Sequence, residues 1–480
     1  MKIAILCAAL CVAVWATCPA QSNPPAPKAS PAGSPGPSPS PTPLDRVVPA
    51  RFFTDHMVLQ ADQPIRVWGD APPGGSVRVQ LGSNEASTKA DAEGRWSLEL
   101  PALPASSSPL TLAIRGENSE TVFQDVLIGE VWFCAGQSNM EWGMSVAPQS
   151  RTEMATANIP GLRIFSVNKQ TTKTPQRHAK SVEGWDSANP ASLKMIGSHH
   201  SFSATAFYFG KALHERLGVP VGLIVAAWGG SPIEPWTPTG KGANYGGIYN
   251  GMVAPLTPLS LRGVTWYQGE SNIKNRAGYA DKLKSLIEQW RQAFSRPDLP
   301  FYFVEIAPCI YKNDPAWLGE LRAAQAKVAK VVPNTGMVHT LDIPDRITNI
   351  HPNNKIDIGK RLARLALAKT YGIMLGKSIS GPVANGFQVE GGGVLVSFED
   401  NAGALKTTDG MPPSGFEVLV DADGGQAWTP ATASIQGDRV LVADPGRKIL
   451  GVRFCWLHDQ QSNLRNAEDL PPSPFQHNMP

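Results

Sequence analysis

Residues 126–140 read VLIGEVWFCAGQSNM, a mostly apolar run of strand length that ends in a loop of small and polar residues. A run of this kind at residues 126–133 is typical of a strand that is buried on both faces of a parallel sheet. Ser138 follows in the loop, where small neighbours leave its hydroxyl exposed. Ligands of open α/β sheets bind at the carboxyl ends of the strands, so this stretch indicates both a fold class and a site.

From residue 126 to about residue 378, apolar runs of strand length alternate with segments of helical periodicity. We predict further strands at residues 221–227, 263–266, 301–306 and 337–341, and helices at 204–216, 279–294, 318–331 and 356–371. Buried strands with intervening helices indicate a parallel sheet that helices cover on both sides. The sequence therefore predicts an α/β fold with a three-layer α/β/α catalytic domain over residues 126–378.

All-β patterns flank this region on both sides. Short alternating runs separated by turns predict an N-terminal β domain at residues 46–125 and a C-terminal β region at residues 379–460. Residues 461–480 are polar and contain several prolines, which predicts a loose tail.

The start of the chain has the features of an export signal. Residues 1–22 combine Lys2, an apolar run and a small-residue cleavage point, and the run is too short to span a bilayer. Residues 23–45 form a Pro/Ser-rich linker that cannot pack a core. We predict a secreted protein, extracellular or periplasmic, with no membrane span. Lipid anchoring through Cys18 is the less favoured alternative, because the preceding residues make a poor lipobox.

Composition and cysteine content exclude several classes of protein. The chain has 43 Lys and Arg against 40 Asp and Glu, without a basic run, which argues against a nucleic-acid partner. Cys134, Cys309 and Cys455 remain after the leader, an odd number that leaves at least one thiol free in a monomer. His199 and His200 resemble a metal-binding pair, but neighbours on a strand point apart. We expect no metal and no cofactor.

Three more strand ends carry residues suited to acyl transfer. The glycine turn at residues 228–231 allows a close backbone approach and can aim an N–H group at an oxyanion. Gln268 and Glu270 follow the next predicted strand, and His351 lies between the last strand and the last helix. A serine hydroxyl is a weak nucleophile, and an imidazole must take its proton, so Ser138 and His351 are the candidate pair.

Several of these segments resemble the sialate O-acetylesterase family, a branch of the SGNH hydrolases. The matching motifs, in order along the chain, are GEVW at 129–132, GQSNM at 136–140, WGGSPIEPW at 228–236, YNGM at 249–252, WYQGESN at 266–272, NTGM at 334–337 and IHPNNK at 350–355. Each motif alone is weakly specific. Their occurrence in this order over roughly residues 50–456 is strong evidence for the resemblance. The resemblance implies an SGNH-type fold and a carbohydrate esterase that releases acetate through an acyl-enzyme, with no cofactor.

The resemblance also implies roles for individual residues. Ser138 would be the nucleophile, with its own backbone N–H in the oxyanion hole, and His351 would be the base. Gly230 (or Gly229) and the side chain of Gln268 would supply the other oxyanion donors. Supporting positions would be Gln137, Asn139, Gly229 and Glu270.

One position departs from the pattern of this family. Asn349 stands where bacterial relatives often carry an aspartate two residues before the histidine. An asparagine can orient an imidazole but cannot neutralise an imidazolium by charge. Asp345, Asp342 and a main-chain carbonyl are alternatives, so the third member of the site stays open.

Two alternatives to a sialate O-acetylesterase remain. The substrate can instead be an acetylated polysaccharide such as acetylxylan, since the specificity loops cannot be placed from sequence. The departure at Asn349 also allows a catalytically weak carbohydrate-binding protein on the same scaffold. Four tryptophans near the presumed site are candidates for either core or sugar platform: Trp142, Trp228, Trp236 and Trp266.

Overall fold

The computed structural model describes residues 45–181, 183–197, 201–242, 244–422, 424–444 and 446–480. The predicted leader with Cys18, the predicted linker up to residue 44 and the His199–His200 pair lie outside the described residues. Leu44–Pro480 forms one compact unit. Among the helices of the described ranges, none is both long enough and apolar enough to cross a bilayer.

Mostly antiparallel strands build the N-terminal part of the described chain. They are β1 (Val48–Pro49), β2 (Val58–Gln60), β3 (Ile65–Asp70), β4 (Ser76–Leu81), β5 (Asn84–Lys89), β6 (Arg95–Leu100), β7 (Ser106–Arg115) and β8 (Glu120–Gly136). Strands β1, β3 and β6 form a 3-stranded sheet, while β4, β5 and β7 join the large sheet through β8. The alternating pattern of the sequence thus forms strands, as predicted.

Strand β8 is 17 residues long and belongs to two regions at once. Its first half pairs antiparallel with β7 and parallel with β2, whose Val58 lies opposite Leu127. Its second half, from Glu130 onward, is a central strand of the parallel sheet. The domain boundary that we predict between residues 125 and 126 therefore falls inside a continuous strand, and the buried residues on both sides of it belong to one hydrophobic core.

The middle of the chain alternates helices and strands. Its helices are α1 (Ser138–Glu141), α2 (Arg151–Thr156), α3 (Pro190–Met195), α4 (Ala204–Leu217), α5 (Tyr279–Ala293), α6 (Trp317–Val331) and α7 (Lys355–Tyr371), and its strands are β9 (Ile159–Ser166), β10 (Asp186–Ala188), β11 (Val221–Ala227), β12 (Gly263–Tyr267), β13 (Phe301–Val304) and β14 (Thr335–Val338). The strand order is β10-β9-β11-β8-β12-β13-β14, and every pair except β10–β9 is parallel. The predicted strands and helices of this region are present, but β9 and β10 were not predicted.

Helices cover both faces of this sheet, because its strands are apolar on both sides. Along β8, Val131 and Phe133 point into the core that contains α5 and α6. Trp132 and Cys134 point into the opposite core, which contains α4 and α7. The alternation has the period of two that a strand imposes. The arrangement confirms the prediction of a three-layer α/β/α fold with flanking β regions.

The last hundred residues form β-sheets that enclose a core of their own. The strands are β15 (Val383–Glu390), β16 (Gly393–Glu399), β17 (Leu405–Thr407), β18 (Phe416–Ala422), β19 (Gly425–Pro430), β20 (Thr432–Gln436), β21 (Arg439–Ala443), β22 (Ile449–Phe454), β23 (Leu464–Asn466) and β24 (Phe475–Asn478). The prediction of a loose tail at residues 461–480 was wrong. Strands β23 and β24 pair with β17 and β22, and Phe475 packs against Phe416 and Phe454.

Gly136 is the last residue of β8, and it lies level with the ends of the neighbouring strands β11 and β12. Its φ angle is +147°, and a Cβ atom built there would lie 2.2 Å from the carbonyl oxygen of Tyr267. The Gly136 carbonyl accepts a hydrogen bond from Trp228 N at 3.0 Å, and Gln137 N donates to Tyr267 O at 3.0 Å. The contact between neighbouring backbones leaves no room for a side chain.

We expect Gly136→Ala to lower the free energy of unfolding by about 2–4 kcal/mol, because it adds both a backbone strain and a steric clash. Chemical denaturation measures the change. Gly247→Ala is the matched control, since the nearest atom to a Cβ there is Thr171 Cβ at 3.9 Å. Equal stabilities of the two variants would contradict the prediction.

Candidate active site

Ser138 and His351 meet at the carboxyl ends of the parallel strands. Ser138 begins helix α1 directly after β8, and His351 lies in the loop between β14 and α7. The distance from Ser138 Oγ to His351 Nε2 is 2.8 Å, and both residues are partly exposed. The indole of Trp142 stacks on the imidazole, with ring centroids 4.4 Å apart and an interplanar angle of 17°. The structure thus brings the predicted pair into hydrogen-bond contact across 213 residues of sequence.

The loop that carries Ser138 is attached to the loop after β12. Gln137 is buried, and its Oε1 accepts hydrogen bonds from the backbone N–H groups of Ser271 at 3.2 Å and Gly269 at 3.4 Å. A buried amide that is satisfied by backbone donors has a single stable orientation. Gln137 therefore connects the loop of Ser138 with the loop after β12.

The glycine turn lies directly against Ser138. Gly230 adopts a φ angle of +76°, and the turn closes with a hydrogen bond from Ser231 N to Trp228 O at 3.2 Å. A Cβ atom built on Gly229 would lie 3.4 Å from Ser138 Cβ. This spacing leaves the turn close enough to present a backbone N–H beside the serine hydroxyl.

Glu141 occupies one backbone N–H group of the glycine turn, that of Gly229. Its carboxylate is buried; Oε2 accepts the Gly229 N–H at 2.6 Å, and Oε1 pairs with Lys169 Nζ at 2.5 Å. The Gly229 N–H is therefore occupied. Within the described ranges, the amide N–H groups of Ser138 and Gly230 donate no hydrogen bond, which leaves both available for an oxyanion.

Gln268 lies in the predicted loop, but its side-chain amide makes other contacts than the oxyanion contact that the resemblance implies. It is fully buried, and its Nε2 donates to Asn272 Oδ1 at 2.7 Å and to Ser231 O at 3.3 Å, while its Oε1 accepts from Tyr279 Oη at 2.7 Å. Both N–H bonds of the amide are committed to the protein. In this geometry Gln268 supports the end of the glycine turn and presents no donor to an oxyanion.

A buried polar cluster surrounds Asn139, the residue after Ser138. Asn139 Nδ2 donates to Glu270 Oε1 at 2.6 Å and to the Ile350 carbonyl at 3.1 Å, and Asn139 Oδ1 accepts from Lys355 Nζ at 2.6 Å. Burial raises the pKa of Glu270, against the opposing effects of its hydrogen bonds and of Lys355. Burial also lowers the pKa of Lys355 to about 7, although Glu270 favours its charged form.

The three predicted candidates for the third member contact other groups. Asn349 Oδ1 accepts the backbone N–H of His351 at 3.0 Å, so it orders the loop through the main chain. Asp345 Oδ2 accepts from Asn353 Nδ2 at 2.8 Å. Asp342 forms a bidentate pair with Arg361 at 2.7 and 2.6 Å. None of these contacts reaches the imidazole ring.

The remaining candidate residues separate into core and site. Trp236 and Trp266 are fully buried core residues, whereas Trp142 and Trp228 are partly exposed and Trp142 stacks on His351. Cys134, Cys309 and Cys455 are buried, free thiols. Over the part of the chain that is described, no group of three or more His, Cys, Asp or Glu side chains is placed to hold a metal ion.

Sequence reasoning missed three charged residues of the site. Glu141 and Lys169 fix the glycine turn, and Lys355 contacts Asn139 from the first residue of α7. Glu141 lies one turn after Ser138, which is a usable signal. Lys169 has no local pattern that separates it from a surface lysine. Lys355 lies in the IHPNNK motif, but nothing in the sequence indicates its contact with Asn139.

The site holds a serine hydroxyl that is hydrogen-bonded to an imidazole at the carboxyl ends of a parallel sheet. A backbone turn with a free N–H lies beside it. This is the arrangement of an α/β serine hydrolase. A family model described as carbohydrate esterase, sialic acid-specific acetylesterase, matches residues 128–368. The sialate O-acetylesterase of Homo sapiens is 27% identical over 89% of this chain and 91% of its own length. That of Mus musculus is 26% identical over 89% and 93%.

A solved structure extends the likeness to nearly the whole chain. A carbohydrate acetylesterase from Xanthomonas citri is 34% identical, with a TM-score of 0.82 over 90% of this chain and 100% of that chain. The chain belongs to the carbohydrate esterase family of sialic acid-specific acetylesterases. Membership confirms the predicted family, the class of carboxylic-ester hydrolase and the expectation of activity on O-acetylated carbohydrate.

We expect Glu141→Leu to lower kcat roughly 10²-fold, the effect of losing one oxyanion donor, because the glycine turn loses its attachment to α1. Glu141→Gln keeps an oxygen acceptor for the Gly229 N–H and should retain most of the activity. Steady-state hydrolysis of p-nitrophenyl acetate measures both variants. If the two variants are equally impaired, the charge pair with Lys169 matters rather than the attachment of the turn.

Proposed function

We propose that the protein hydrolyses O-acetyl esters on sugars through an acyl-enzyme, with Ser138 as nucleophile and His351 as base. The observation that carries the proposal is the 2.8 Å contact between Ser138 Oγ and His351 Nε2. A base within hydrogen-bond reach of the hydroxyl is the geometric requirement for activating a serine.

In the first half of the reaction, Nε2 removes the proton as Oγ attacks the acetyl carbonyl carbon. The oxyanion that forms accepts hydrogen bonds from the backbone N–H groups of Ser138 and Gly230. As the tetrahedral intermediate collapses, the imidazolium returns the proton to the sugar oxygen, the C–O bond breaks and the free sugar hydroxyl leaves. Acetyl-Ser138 remains.

The second half repeats the same steps with water. His351 takes a proton from a water molecule, the resulting hydroxide attacks the acyl carbonyl, and the same donors bind the oxyanion. Collapse returns the proton to Ser138 Oγ and releases acetate. Every step uses proton transfer and hydrogen bonds from groups of this chain.

Two sugar classes are supported as substrates. The curated relatives are sialate O-acetylesterases, which supports O-acetylated sialic acid. The Xanthomonas citri protein, at 34% identity, is a carbohydrate acetylesterase, which supports a wider range that includes acetylated polysaccharide. The 2.8 Å contact between Ser138 Oγ and His351 Nε2 is present despite Asn349, which favours a hydrolase over the alternative of a purely binding protein.

We expect Ser138→Ala to lower kcat by about 10⁴-fold or more on any acetylated sugar, and His351→Ala to have a comparable effect, since the two side chains act as a unit. Acetate release from O-acetylated sialic acid and from acetylated xylan, measured side by side, tests the roles and the sugar preference together. Serine-independent release from both would overturn the proposal. Sugar binding without hydrolysis by the parent protein would favour the binding-protein alternative.

We also propose that the protein is exported, on the evidence of the leader at residues 1–22. Expression of the full chain should yield a product that starts near residue 23, which N-terminal sequencing detects. A lipid-modified N-terminus at Cys18 would show that the exported protein is anchored to a membrane and is not released. An intact Met1 in the cell interior would contradict export.

A further inference from the structure

The contacts of Asn139 join the two halves of the catalytic pair. Asn139 follows Ser138 in the chain, and the carbonyl that it binds belongs to Ile350, the residue before His351. One buried side chain thus connects the residue after the nucleophile with the residue before the base. The separation between Ser138 Oγ and His351 Nε2 depends on this connection, because the two loops come from different strands of the sheet.

The orientation of the Asn139 amide is decided by two charged neighbours. Nδ2 faces two acceptors, Glu270 Oε1 and the Ile350 carbonyl, while Oδ1 faces the Nζ group of Lys355. A rotation of the amide by 180° would place Oδ1 against both acceptors and Nδ2 against an ammonium donor. The hydrogen bonds to Glu270 and to the Ile350 carbonyl would both be lost, and an unmade hydrogen bond of a buried amide is costly in free energy.

Lys355 has no other described hydrogen bond in this cluster. Its side chain is fully buried, its Nζ bonds Asn139 Oδ1, and it lies 5.6 Å from the ring centroid of Tyr267. A lysine that is buried at the first turn of a helix is costly to desolvate. Burial indeed lowers its pKa to about 7. A cost of this kind indicates that the position is used for orientation rather than for stability.

We propose that Lys355 is a positioning residue for the catalytic pair, which fixes the Asn139 amide in the orientation that holds the His351 loop against Ser138. The proposal rests on the proposed roles of Ser138 and His351. Lys355 touches neither substrate nor reacting atoms, and it acts only through Asn139. Glu270 is its counterpart on the donor side of the same amide.

Lys355→Met removes the donor at nearly constant volume. We expect kcat for p-nitrophenyl acetate to fall on the order of 10²-fold, the effect of a misplacement of about 1 Å, with KM changed less than about twofold. Lys355→Gln keeps an N–H donor on a side chain that is one atom shorter. Its kcat should be about tenfold higher than that of Lys355→Met. A role in packing alone would not distinguish Met from Gln in this way.

A double-mutant cycle with Asn139→Ala tests whether Lys355 acts through Asn139. If it does, the double variant Lys355→Met/Asn139→Ala should be no slower than Asn139→Ala alone. If the losses of the two single variants multiply, Lys355 acts by another route and the proposal is overturned. Should Lys355→Met lack a cooperative thermal transition, Lys355→Gln takes its place in the cycle.

Lys369→Met is the matched control on the same helix. Lys369 Nζ donates to the Thr335 carbonyl at 2.8 Å, away from the catalytic loops, so kcat should be unchanged. The parent and Ser138→Ala are measured in the same assay. Hydrolysis by Ser138→Ala at the parental rate would overturn the proposed function, whereas a parental kcat for Lys355→Met beside an inactive Ser138→Ala would overturn this proposal alone.

Discussion

The parallel pairing of β8 with its two neighbours is the constraint on which the rest of the structure depends. Because β11 and β12 end in register with Gly136, their loops leave the sheet at the same level as the loop of Ser138. The backbone contacts at Gly136 leave no space for a side chain, so the three loops stay in direct contact. The first half of β8 extends this rigid element into the N-terminal strands. The site is thus built on a strand that is anchored at both ends, which favours precise positioning.

His351 is the one component that this strand does not position. Its loop follows β14, three strands away from β8 in the sheet, and it returns to Ser138 through polar contacts rather than through sheet hydrogen bonds. Asn139, Glu270 and Lys355 are all buried, and buried polar groups cost free energy unless they are paired. Here each side-chain hydrogen bond of Asn139 joins two separate segments of the chain. These paired polar groups therefore provide the geometry that the apolar core cannot provide.

The sequence predicted the parts of the molecule whose signals are local. Strand β11 coincides with its predicted residues 221–227, because a run buried on both faces has a continuous apolar pattern. Strand β9 was missed, because Pro160 and Gly161 interrupt its pattern at the start. The tail was misjudged, because its prolines flank β24 instead of lying within it. Gln268 was placed in the right loop, but the direction of its side chain depends on Asn272 and Tyr279, which no local pattern shows.

Asn349 raises the question of what replaces a triad carboxylate near His351. A carboxylate orients the imidazole and stabilises its charged form, and exchanging it for asparagine in a serine protease costs about 10⁴-fold in kcat. Asn349 binds the main chain of His351, so it orders the loop without compensating the charge of the ring. Trp142 lies parallel to the imidazole at 4.4 Å, and the face of an indole attracts a cation by about 1–2 kcal/mol. This contribution is independent of the group that binds Nδ1. The stack fixes the ring plane and favours the imidazolium. A stabilisation of 1–2 kcal/mol corresponds to about 10-fold in rate. The stack therefore supplies only part of the rate enhancement that a carboxylate would supply.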